Sequence, residues 1–110
     1  MSLKSFIIFL TFSLGTYSTV SAQTELYDRV RYILDNLRAK NYYYALECGD
    51  ALILDYPEST FGYMTKAQAY FYLNDIHACR INIKKAMANG LDPYKTSFYY
   101  LVFPGVLANM

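Results

Sequence analysis

Tryptophan is absent from the 110-residue chain, histidine occurs once, cysteine twice and proline three times. His77 with Cys48 and Cys79 falls short of the four ligands of a structural zinc, and no Gly-rich phosphate loop or Gly-x-Ser-x-Gly elbow is present, so neither metal nor cofactor is expected. Charged residues are also scarce, at 17% with a net charge of +1. A nucleic-acid partner is therefore not expected, since it calls for a basic surplus against phosphate. The nine carboxylates are scattered, with no pattern that predicts a converging acid and base pair, and His77 and Cys79 fall on different faces of a helix, so the chain does not read as an enzyme. There is no Asn-x-Ser/Thr glycosylation site. In place of all these the chain has 13 tyrosines and a 55% hydrophobic share, enough to exclude disorder, within a length that limits it to one small domain.

Residues 1–22 have the layout of an export leader. Lys4 supplies positive charge, Phe6 to Leu14 form an apolar core, and the run from Thr16 to Ala22 is small and polar. Ser13, Thr16, Ser18, Thr19 and Ser21 dilute the segment below the roughly 20 apolar residues of a spanning helix. Membrane contact is thus expected only through an uncleaved leader. Cleavage is expected between Ala22 and Gln23, leaving nine basic and nine acidic residues and no net charge.

Beyond the leader the apolar spacing is helical throughout, so the expected class is all-α. Leu26, Val30, Ile33, Leu34 and Leu37 make the stripe of a helix over 25–39. Asn41 can cap a second over 42–55, which Pro57 stops. Ser59 or Thr60 can cap a third, ending near Leu73, and Asn74-Asp75 leads into a fourth that Asn89-Gly90 ends. Such short connections make neighbouring helices antiparallel. Lys40 and Asn74 are 34 positions apart, as are Ala45 and Cys79.

With that period the chain resembles the tetratricopeptide-repeat family, in the form carried by exported bacterial proteins. The second unit, 59–93, carries most of the likeness: Tyr63, Ala67 and Tyr70, then Cys79, Ile83 and Ala86, alternate large and small where the family's helices pack. In the first unit, 25–58, Ala45 and Pro57 fit, but Arg29, Ile33, Asn36 and Gly49 stand where large, small, large and large residues belong. Its first helix is therefore expected to be shifted in register. The Tyr-Pro-Glu-Ser run at 56–59 is similar to repeats of envelope-assembly proteins. The resemblance implies a right-handed solenoid of about two hairpin units over residues 23–103. An extra capping helix at 93–103 and a tail at 104–110 complete the expected plan.

The family's ligand groove lies on the first helices of its units. Carried over, it implies contacts from Tyr27, Val30, Leu34, Leu37 and Arg38, and from Met64, Gln68, Phe71 and Tyr72. The expected function is that of an exported module, periplasmic, secreted or envelope-associated, that binds a protein or peptide. The alternatives are a structural or self-associating unit, joined through the apolar 94–103 segment, or the first part of a longer array. Two cysteines in an exported chain invite a Cys48–Cys79 disulfide. Against it, second helices of adjacent units lie 8–10 Å apart or more, while a bridge needs Cα atoms within about 7 Å. Both states of the pair, bridged and as buried thiols, stay open. Expression with the leader intact is expected to yield a chain beginning at Gln23, checked by intact-mass and N-terminal peptide measurement.

Overall fold

A computed structural model describes the backbone of residues 3–92 and the side chains of residues 21–92. It contains helix α1, Leu3–Arg38, α2, Tyr42–Asp55, α3, Phe61–Tyr72, and α4, Ile76–Ala88, with no strand among the described residues. The expected helix at 93–103, the tail at 104–110 and the docking segment at 94–103 lie outside the described residues.

The first helix differs from its expected bounds of 25–39. It is a single 36-residue helix, about 54 Å long at the usual rise, and Ala22–Gln23 lies within it. The Ser- and Thr-rich stretch before Ala22 contains no proline, and each such residue costs only about 0.5 kcal/mol of helix propensity, too little to break the run. Among the described residues no helix is long and apolar enough to cross a membrane.

α1 packs on α2, α2 on α3, and α3 on α4, and α1 also touches α3. The first helices of the two hairpins are thus direct neighbours. Ile33 and Leu37 of α1, Ala45 and Leu52 of α2 and Ala69 of α3 form one buried cluster. Ala67 of α3 with Cys79 and Ile83 of α4 forms another. α3 is the shared element, giving Ala69 to one side and Ala67 to the other. Its small residues let three helices approach it closely.

Lys40 and Asn74, 34 positions apart, both take left-handed conformations, with φ of 65° and 66°. Asn41 N–H donates to the Asn36 carbonyl at 2.9 Å, and Asp75 N–H to the Tyr70 carbonyl at 2.9 Å, so α1 and α3 close with the same wrap-around bond. α4 closes likewise, with Gly90 at φ 107° and Leu91 N–H on the Ala86 carbonyl at 3.0 Å. The Lys66 alkyl stem from α3 lies against Gly49 and carries its ammonium to Asp50 at 2.7 Å.

The caps are also selective. Asp75 accepts from Ala78 N–H at 3.1 Å and Ser59 from Phe61 N–H at 3.1 Å. Asn41 occupies the N-cap place of α2 without a cap bond, and its side-chain amide donates to Asn36 Oδ1 at 3.2 Å. Asn89, past the end of α4, donates to the carbonyls of Pro57 at 3.0 Å and Ser59 at 3.2 Å, tying α4 to the α2–α3 connection.

α2 and α3 cross where both are glycine. A Cβ on Gly62 would lie 2.5 Å from Ile53 Cγ1 and 3.4 Å from the Gly49 carbonyl oxygen, whereas one on Gly49 would chiefly meet the flexible Lys66 stem at 2.6 Å. Gly62→Ala is expected to destabilise the chain by about 1–3 kcal/mol, the usual range for overpacking. Gly49→Ala should cost less, since the lysine stem can swing aside; urea denaturation of both variants checks the order.

Candidate functional site

The α1–α3 face carries the residues expected to form a groove, and the structure divides them. Val30 and Leu34 pack on the cluster around Ile33, and Met64 and Phe71 on the cluster around Cys79. Leu37 is buried, whereas these four side chains are half-buried, with part of each packed on a cluster and part left at the surface. Tyr27 and Tyr72 remain 56% exposed each, Arg38 is exposed and Gln68 is half-buried. What is left is a face with an aromatic pair at each end.

At one end Tyr27 of α1 meets Phe61 of α3 edge-on, with ring centroids 5.9 Å apart. At the other end Tyr72 of α3 stacks on Tyr42 of α2, with centroids 5.4 Å apart and planes 14° from parallel, and Phe71 meets Tyr72 edge-on at 5.7 Å. Such contacts add about 0.5–1.5 kcal/mol beyond area burial and hold the rings in fixed orientations. Arg38 lies in the last turn of α1, 2.9 Å from Asp35. This exposed pair contributes little stability, so the guanidinium is easily shared with another acceptor.

Tyr56 ties α2 to the middle of α1. Its single hydroxyl proton lies between the Glu25 carboxylate at 3.0 Å and the Ala22 carbonyl at 3.3 Å, and Arg29 lies 5.7 Å from its ring centroid while pairing with Asp55 at 2.7 Å. Burial, then the Glu25 hydrogen bond, push the Tyr56 phenol above its ordinary value. It stays a neutral donor at physiological pH.

Between α1 and α2 lies a pocket of about 170 Å³ lined by Arg29, Tyr32, Ile33, Cys48 and Ala51. At its side the hydroxyls of Tyr32 and Tyr44 are 2.9 Å apart and their rings meet edge-on at 6.1 Å. The bond to Tyr32, then one to Cys48, raises the Tyr44 phenol well above its ordinary value. The groove expectation overlooked this pocket. The signal available was Arg29, a charged residue standing where the repeat pattern places a large packing residue.

The two cysteines are free thiols in different surroundings, so the disulfide is not formed. Cys48 is half-buried on the cluster around Ile33, whereas Cys79 is fully buried with Ala67 and Ile83. Burial raises the Cys79 thiol to about 11, keeping it protonated and unreactive. His77 is exposed on α4. Among the described residues no group of three or more His, Cys, Asp or Glu side chains is placed to hold a metal ion.

No family model, curated protein or solved structure matches the chain. A free-thiol count on the unreduced, denatured chain is expected to give two. In the native chain at pH 8 a small alkylating reagent should modify Cys48 well ahead of Cys79; equal rates would contradict the buried placement of Cys79.

Proposed function

We propose that this chain is an exported, non-enzymatic helical-repeat module of the tetratricopeptide type, which binds a peptide or protein partner along the α1–α3 face. The observation that carries the reading is the pair of exposed, pre-oriented tyrosines at the two ends of that face, Tyr27 beside Phe61 and Tyr72 on Tyr42. Aromatic side chains held rigid before binding lose little conformational entropy on contact, which is why tyrosine and arginine are enriched at interface hot spots. The matching turns at Lys40 and Asn74 support the repeat. The layout of residues 1–22 supports export.

In this mechanism the partner lies across α1 and α3 with apolar side chains against Tyr27 and Tyr72. Arg38 and Gln68 hold its backbone or a carboxylate. The near-neutral charge of the chain leaves shape and aromatic contact, not long-range steering, to set affinity.

Selecting a displayed random-peptide library on the full chain supplies a ligand of measurable Kd. Tyr27→Ala with Tyr72→Ala is expected to weaken that ligand about thirtyfold, corresponding to about 2 kcal/mol, with helicity unchanged. Unchanged affinity in the folded double variant would remove this face as the binding surface.

A further inference from the structure

The 34-residue period allows the two hairpins to be compared place by place. The pocket-lining residues Arg29, Tyr32, Ile33, Cys48 and Ala51 correspond to Tyr63, Lys66, Ala67, Asn82 and Lys85 in the second hairpin. There the half-buried ring of Tyr63 spans the gap between α3 and α4, with Lys85 Nζ 6.0 Å from its centroid. An aromatic ring thus lies between the places that Arg29 and Ala51 hold in the first hairpin. The first hairpin has no such ring. Arg29 turns towards the end of α2, 2.7 Å from Asp55 and 5.7 Å from the Tyr56 ring, and Ala51 is too short to fill the space. The wall is formed by Ile33, only 1% exposed, and by Cys48.

We propose that the pocket between α1 and α2 is a binding site for one aromatic ring of the phenyl or phenol class, taking the place that Tyr63 holds in the second hairpin. Size agrees: an apolar cavity of about 150 Å³ accommodates benzene, and this pocket measures about 170 Å³. Chemistry agrees as well. Ile33, Cys48 and Ala51 offer an apolar lining, and the Tyr32–Tyr44 hydroxyl pair beside it can exchange hydrogen bonds with a phenolic hydroxyl. The ring can belong to a small phenol or to a tyrosine or phenylalanine side chain of a polypeptide. The assignment rests on the correspondence of the hairpins and not on the α1–α3 face, so either can fail alone.

The test uses the full chain, with p-cresol as the probe and 4-methylcyclohexanol as a non-aromatic control of similar size. Saturable p-cresol binding is expected, with amide shifts centred on Ile33 and Cys48. Alkylation of Cys48 should slow about tenfold when p-cresol is at ten times its Kd, while the slow reaction of Cys79 is unchanged. N-acetyl-tyrosine amide and a short peptide with a central tyrosine distinguish the sources: binding of both supports a polypeptide ring, and binding of p-cresol alone a small phenol. Arg29→Tyr restores the second hairpin's residue, and is expected to abolish p-cresol binding while raising the unfolding midpoint. A loss of fold does not produce that combination. If Arg29→Tyr is poorly folded, Ala51→Leu fills the same space from α2. Absence of saturable binding, equal binding of 4-methylcyclohexanol, or undiminished binding by a folded pocket-filling variant overturns the assignment.

Discussion

The contact on which the structure depends is the crossing of α2 and α3 at Gly49 and Gly62. With no Cβ on either side the two backbones approach until a Cβ at 62 would lie 2.5 Å from Ile53 Cγ1 and 3.3 Å from the Ile53 backbone nitrogen. Thr65, buried one turn further along α3, turns its hydroxyl back to the carbonyls of Phe61 and Gly62 and so asks nothing of the interface. At this distance Ala69 reaches the cluster of α1 and α2 while Ala67 stays with α4. A wider crossing would separate those clusters and leave α3 with one packed side.

The two hairpins share a backbone pattern but fill it differently. In the second, the large and small residues alternate and the interior closes on itself, with Ala67, Cys79, Ile83 and Ala86 fully buried. In the first, the Lys66 stem lies against Gly49, and the charge at Arg29 is absorbed by Asp55 and the face of Tyr56. At Arg29 this leaves a space, because a guanidinium that reaches outward to a carboxylate cannot also pack inward.

The all-helical class and the bounds of α2 and α4 were legible from residue spacing and breakers, since Pro57 and Asn89-Gly90 act locally. The unbroken run of α1 through Ala22 and Gln23 was not, because small and polar residues lower helix propensity without ending a helix. Of the groove candidates, Leu37 is buried and Val30, Leu34, Met64 and Phe71 are half-buried against the two clusters. Periodicity identifies a helix face without saying whether a neighbour covers it, and what covers these residues comes from other helices. The Gly49–Lys66 contact was hidden for a similar reason: its two halves lie on different helices, 17 residues apart, and neither is unusual alone. Ser59 and Thr60 are adjacent and equally suited to cap α3, so only the backbone path decides between them.

The hydroxyl of Tyr56 on the Ala22 carbonyl links the folded domain to the bond at which a leader would be cut. Proteases cleave extended chain, whereas this carbonyl lies in continuous helix and is held by a residue 34 positions further on. The fold therefore holds this peptide bond in a form that a protease does not accept, and an enzyme that cut there would have to act before α2 docked on α1.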